Sequence, residues 1–176
     1  MSNVVEHWSD VSDLWMQVSN QVVADDLDKQ SSCDEWCVQE VMDHAHEFQL
    51  KGANALGANV PEDADFETVR AALLDALRDS ADLDGTAEGF GTMPKHGVAQ
   101  LMVGDLLLHS WDIAHTIGAD ATLPDRLTLS TLEALKQLPD SMLRAPNMFG
   151  PPLPVADDAS PQEQLLAFTG RDIEKK

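Results

Sequence analysis

The stretch VAQLMVGDLLLHSWDIAHTI, residues 98–117, decides the fold. Its apolar side chains, from Val98, Ala99 and Leu101 through Leu106, Leu107 and Leu108 to Trp111, Ile113 and Ile117, cover almost the whole circumference of a helical wheel. A helix apolar on all sides is one that other helices surround. Pro94 suits its first turn and Gly118 its end. Against this background Asp105, His109 and Asp112 share an arc of about 60° at 3.6 residues per turn. A buried carboxylate without a partner is costly, so it protonates or finds a cation. An Asp and a His one turn apart on one face offer an oxygen and a nitrogen to a single divalent metal.

Outward from this segment the periodicity stays helical, and no convincing strand alternation interrupts it. Val4, Trp8, Val11, Trp15, Val18 and Val22 recur at 3- and 4-residue spacing and predict a first helix over residues 4–24. Ser32, with Glu35 three residues on, reads as a capping box opening a second helix that runs to Leu56 and stops at Gly57. The acids of Pro61-Glu-Asp-Ala-Asp65 suit the first turn of a third helix, reaching to about Leu83. A fifth, shorter helix follows Pro124 to about Leu138, and a last one spans residues 161–169 before Gly170. Between them, residues 139–160 hold five of the nine prolines and read as a wrapping loop. The expectation is an all-α helical bundle, one domain over 1–176, with the bundle in 4–138 and the Pro-rich segment in 139–176.

With 31 acidic and 11 basic residues among 176, the net charge is −20, which repels phosphate backbones and anionic membranes. Nucleic acid is therefore not an expected partner. This Asp-rich balance fits a salt-rich habitat or simple solubility. No run approaches the roughly 18 uncharged apolar residues of a membrane span, and the N-terminus has no basic and apolar leader. A cytoplasmic location is the resulting expectation. Cys33 and Cys37 lack the C-x-x-C spacing and read as free thiols sharing one face of the second helix, Cys37 partly buried.

On the wheel of the second helix, His44 falls at the edge of the apolar face and His46 well out on the wet side, so His44 is the site candidate. Together with Asp105 and His109 it would make a two-His-one-carboxylate set with a fourth position left for water or substrate. Zinc uses such a set, and so does non-haem iron. Two readings stay open from the residues themselves: this metal site, or a plain Asp105–His109 pair beside a half-buried core histidine. Asp112 either hydrogen-bonds Trp111 or nearby backbone, or accepts the N–H of a ligand imidazole. His115 reads as a side-packing histidine, while His7 and His96 join no constellation. There is no Gly-x-x-x-x-Gly-Lys, Gly-x-Gly-x-x-Gly or Gly-x-Ser-x-Gly element.

Four segments together, Trp36-Cys-Val-Gln-Glu-Val-Met-Asp-His44, Asp105-Leu-Leu-Leu-His109-Ser-Trp-Asp-Ile-Ala, Met148-Phe-Gly-Pro-Pro-Leu-Pro-Val and Leu165-Leu-Ala-Phe-Thr-Gly-Arg-Asp172, resemble the DinB-like superfamily over nearly the whole chain. The specific likeness is to the metal-binding domain related to mycothiol-dependent maleylpyruvate isomerase. The resemblance implies a four-helix bundle holding one divalent metal, with His44, Asp105 and His109 as ligands and Asp112 supporting one of them. Zinc is the expected metal, with nickel or iron as other choices. A low-molecular-weight thiol is the implied co-substrate, and a small electrophile its partner in S-transfer or isomerisation. The chain departs from the isomerase in having no room for that enzyme's second domain. Arg171 would bind a carboxylate or form a structural salt bridge. A non-catalytic metal-binding scaffold and a single-metal hydrolase are the alternatives. Bundles of this kind often pair, which makes a homodimer one expectation for assembly.

Overall fold

The computed structural model describes residues 3–33, 36–79, 83–146 and 148–174. Its regular structure is helical throughout: α1 (Asn3–Ser19), α2 (Val38–Ala55), α3 (Phe66–Asp79), α4 (Lys95–Ile117), α5 (Asp125–Lys136), α6 (Asp140–Leu143) and α7 (Pro161–Phe168), with a 3₁₀ turn at Ala24–Asp26. No helix among the described residues is long and apolar enough to cross a membrane.

The fold is organised around α4. It packs against α1, α2 and α5, and α3 closes the bundle against α1 and α2. Three neighbours explain why α4 is apolar all round: Val98, Met102, Leu106, Leu107, Leu108, Trp111 and Ile113 are at most 2% exposed. The segment begins after Pro94 and ends on Gly118, whose φ of 75° is the left-handed conformation that glycine adopts without a Cβ penalty. α1 contributes Trp8, Val11, Trp15 and Val18 to the same core, and α2 contributes Val38, Val41, Ala45 and Ala53.

Helix boundaries differ from the periodicity where side chains compete for the backbone. α1 stops at Ser19 rather than residue 24, because Asp26 takes the Val23 N–H at 3.0 Å and Lys29 Nζ at 2.6 Å, turning the chain. α2 starts at Val38, not after Ser32. Ser31 Oγ accepts the Cys33 N–H at 3.1 Å and donates to Trp36 O at 2.6 Å, which holds Cys33 and Trp36 outside the helix. Glu35 lies outside the described residues; the helix is instead capped where Cys37 N–H donates to Glu40 Oε2 at 2.8 Å. Cys33 and Cys37 are free thiols, both half-buried, but they do not share a helical face. α3 starts at Phe66, after a turn at Pro61–Ala64, with Asp65 Oδ1 accepting the Thr68 N–H at 2.9 Å. Of its expected last residues, 80–82 lie outside the described ones, and Leu83 stands beyond the helix.

The Pro-rich segment holds one helical turn, α6, and then crosses the end of α7. Leu153 N–H donates to Ala167 O at 2.9 Å, and Arg144 Nη2 to Phe168 O at 2.9 Å. Gly170 turns with φ 79°, and a Cβ there would stand 3.0 Å from Gly150. That close crossing directs Arg171 back into the bundle, where it is only 8% exposed.

Candidate metal centre

His44 and the Asp105–His109 pair come together from two packed helices. Asp105 Oδ1 lies 3.3 Å from His44 Nε2 and 3.5 Å from His109 Nε2, and all three ligand atoms fall within 4.8 Å of one another. A tetrahedral zinc with bonds of about 2.0–2.1 Å separates its ligand atoms by roughly 3.3 Å. The donor set is thus spaced for such an ion. Access is graded: the side chains of His44, Asp105 and His109 are 35%, 16% and 8% exposed, so the cluster opens on the His44 side. Trp36 covers part of it, its ring centroid 4.5 Å from that of His44 and 5.9 Å from that of His109. Phe48 lies parallel to His44 at 6.0 Å.

Behind His109 is a second layer of charge. His109 Nδ1 stands 2.9 Å from Asp112 Oδ2. Asp112 is fully buried, so its carboxylate needs donors on several sides. Arg171 supplies two, Nε to Oδ1 and Nη2 to Oδ2, each at 2.8 Å, and Cys33 Sγ adds a third to Oδ2 at 3.2 Å. Among the described residues the Asp112 carboxylate partners His109, Arg171 and Cys33 rather than Trp111 or backbone, and it fixes the imidazole of His109. Arg171 is engaged with Asp112 in this buried bidentate pair, the structural salt bridge that the sequence allowed. Cys33, His109 and Asp112 also cluster within 4.8 Å, but the guanidinium already stands there as the cation.

The protonation states follow from these contacts. Burial pushes the Asp112 carboxyl up, and Arg171 and then His109 outweigh it, holding the group far below the usual carboxylate range. Asp112 is therefore an acceptor, and His109 Nδ1 carries the proton it receives. Burial also works against charge on Asp105, yet the neighbouring His109 and His44 keep its carboxyl below the ordinary value. For His109 burial lowers the pKa, and Asp105, Asp112 and Cys33 together raise it well above 6.5. Without a metal, His109 is an imidazolium held between two carboxylates. A divalent cation would replace that proton.

Of the other histidines, His46 is half-buried, its ring 6.4 Å from Phe66, rather than well out in solvent, and it belongs to neither ligand cluster. His115 stacks on Trp111 at 4.6 Å. His7 is buried on α1 with Ser130 Oγ 3.3 Å from its Nδ1. Sequence periodicity missed Gln49, whose Nε2 donates to Asp105 Oδ2 at 3.2 Å. A signal for it existed: Gln49 continues the Val41–Ala45 line at four-residue spacing, a polar side chain on the buried face of α2.

An all-helical bundle with two histidines and a carboxylate gathered in its wall defines the class of protein. Two uncharacterized proteins of Mycobacterium tuberculosis, from strains CDC 1551 / Oshkosh and H37Rv, are each 26% identical to this chain over 161 residues, covering 86% of it and 88% of the relative. No family model matches the chain, and no solved structure matches it.

Proposed function

We propose that this chain is a cytoplasmic, divalent-metal-binding protein of the DinB-like kind, acting as a metal-dependent thiol S-transferase or isomerase on small electrophiles. The observation that supports it best is the meeting of His44 Nε2 and His109 Nε2 on one oxygen of Asp105, at 3.3 and 3.5 Å, in a half-open cluster. Two imidazoles and one carboxylate suit zinc, with nickel and iron as competitors.

His44, Asp105 and His109 would hold a divalent cation, which would lower the pKa of a thiol that reached it. The chain's own residues prepare that chemistry. Asp112 keeps His109 in the tautomer that presents Nε2, and Arg171 keeps Asp112 ionised and in place. Trp36 and Phe48 shield the exposed flank of His44 from water. A low-molecular-weight thiol of the mycothiol type would release its proton to solvent water, and its sulfur pair would form a C–S bond to the electrophilic carbon. In transfer, the leaving group departs with its bonding pair. In isomerisation of an unsaturated acid, the π pair shifts to the adjacent carbon, the C–C bond rotates, and the C–S bond breaks again as the π bond reforms.

The test is metal analysis of untagged protein followed by thiol consumption with a panel of electrophiles. One equivalent of metal, lost in His109→Ala, and metal-dependent thiol loss are expected. Stoichiometric metal that survives His109→Ala refutes the ligand assignment. A flat response across several thiols refutes transferase chemistry and leaves a scaffold or a hydrolase, which ester and amide substrates separate.

A further inference from the structure

We infer that Gln49 is a positioning residue that decides which oxygen of Asp105 serves the metal position, and thereby keeps that carboxylate from occupying two coordination positions. This rests on the metal-binding reading of His44, Asp105 and His109.

The two oxygens of Asp105 are not equivalent. Oδ1 faces both imidazoles, at 3.3 and 3.5 Å. Oδ2 faces Gln49 Nε2 at 3.2 Å, and the same Nε2 donates to Met102 O at 3.2 Å. Both neighbours of that amide end are acceptors only, so the NH₂ group must point at them and the amide cannot flip. A carboxylate binds one cation through one oxygen or through both. With Oδ2 committed to Gln49, Asp105 offers Oδ1 alone.

Gln49 is retained against its own local energetics. It is 0% exposed, and its Oε1 is buried without a hydrogen-bond partner among the described residues. An unsatisfied buried carbonyl costs free energy that an apolar side chain of similar shape would not. Met102 O lies inside α4, where the helix supplies its own donor, so that contact does not demand a glutamine. The remaining partner is Asp105, and it is there that the amide changes the chemistry. A carboxylate held to one oxygen leaves room for an exogenous donor beside the two imidazoles, the difference between a closed structural site and an open one.

The experiment compares wild type, Gln49→Met and Gln49→Leu, with Co²⁺ as the metal and 2-mercaptoethanol as the added donor. Titration by visible absorption reads both Co²⁺ affinity and the spectral change caused by the thiol. Losing a hydrogen-bond partner of a ligand typically weakens metal affinity by about 10–100-fold. Both variants are expected to show that loss, together with a diminished thiol-induced change. Metal-free Gln49→Met sheds an unsatisfied carbonyl but leaves Asp105 Oδ2 without its donor, so its melting temperature should fall. Gln49→Leu also removes the donor without adding charge, so it tests the same claim if the methionine variant fails to fold. Affinity equal to wild type, an unaltered thiol response, or failure of both variants to fold would each overturn the inference. Wild-type protein that takes up no Co²⁺ would remove the metal reading itself, whereas wild type that binds while the Gln49 variants bind equally removes this inference alone.

Discussion

Removing the guanidinium of Arg171 should be among the most damaging single changes in the molecule. Arg171→Met keeps the length of the side chain and deletes two 2.8 Å hydrogen bonds to Asp112, a carboxylate with 0% exposure. Breaking a buried pair from one side costs about 3–5 kcal/mol, because the surviving charge stays buried without compensation. Here His109 and Cys33 still reach Oδ2, so the lower end, about 3 kcal/mol, applies. Asp112→Asn leaves the opposite charge stranded, with fewer remaining partners, and should cost at least as much. The double variant removes both charges and should cost about 2 kcal/mol less than the sum of the singles. Urea denaturation of chelator-treated protein reads all three. With a slope of about 2 kcal/mol/M, a 3 kcal/mol loss moves the midpoint by about 1.5 M. A midpoint for Arg171→Met within 0.3 M of the parent (about 0.6 kcal/mol at that slope), or strict additivity of the two singles, would refute the view that this pair anchors the centre.

Two further expectations follow from the same geometry. His109 has a raised pKa in the metal-free protein, so its contribution to stability is complete below the unfolded value near 6.5 and is lost as pH rises through the raised one. Metal binding must displace that proton, so affinity should strengthen with pH over the same window, with proton release visible as buffer-dependent heats of Zn²⁺ binding; buffer-independent heats at neutral pH would contradict an imidazolium at His109. Gly170→Ala should cost about 1–3 kcal/mol, since the residue adopts φ 79° and its Cβ would stand 3.0 Å from Gly150; because this turn aims Arg171, the variant should also weaken metal binding, and an unchanged melt would refute the strain argument.

What periodicity could reveal was the interior. α4 was legible because its apolar residues surround the helix while Asp105, His109 and Asp112 line one arc, a pattern that local spacing encodes completely. α7 was legible through Pro161 at its start and Gly170 just past its end; the Ser160–Glu163 capping box, with Ser160 N–H donating to Glu163 Oε2 at 2.7 Å, came only with the structure. The start of α2 was not, because Ser31 and Trp36 settle it by hydrogen bonds that no apolar period records. His44, Asp105 and His109 could be nominated from two separate wheels, yet their meeting depends on how α2 packs on α4. The supporting contacts were beyond local reading altogether: Cys33 stands 79 residues from Asp112, and Arg171 stands 59 residues from it. Pairings of that range come from tertiary arrangement.

The separation between Asp112 and Arg171 also has a consequence for biosynthesis. At roughly 5–20 residues per second, a nascent chain carries α4 for about 3–12 s before its neutralising arginine is even made. Throughout that interval the carboxylate has to remain hydrated, so the helices on either side cannot seal over it. Closure of the interior is thereby coupled to the synthesis of Arg171, and an ion arriving earlier would meet a histidine whose orientation is not yet set.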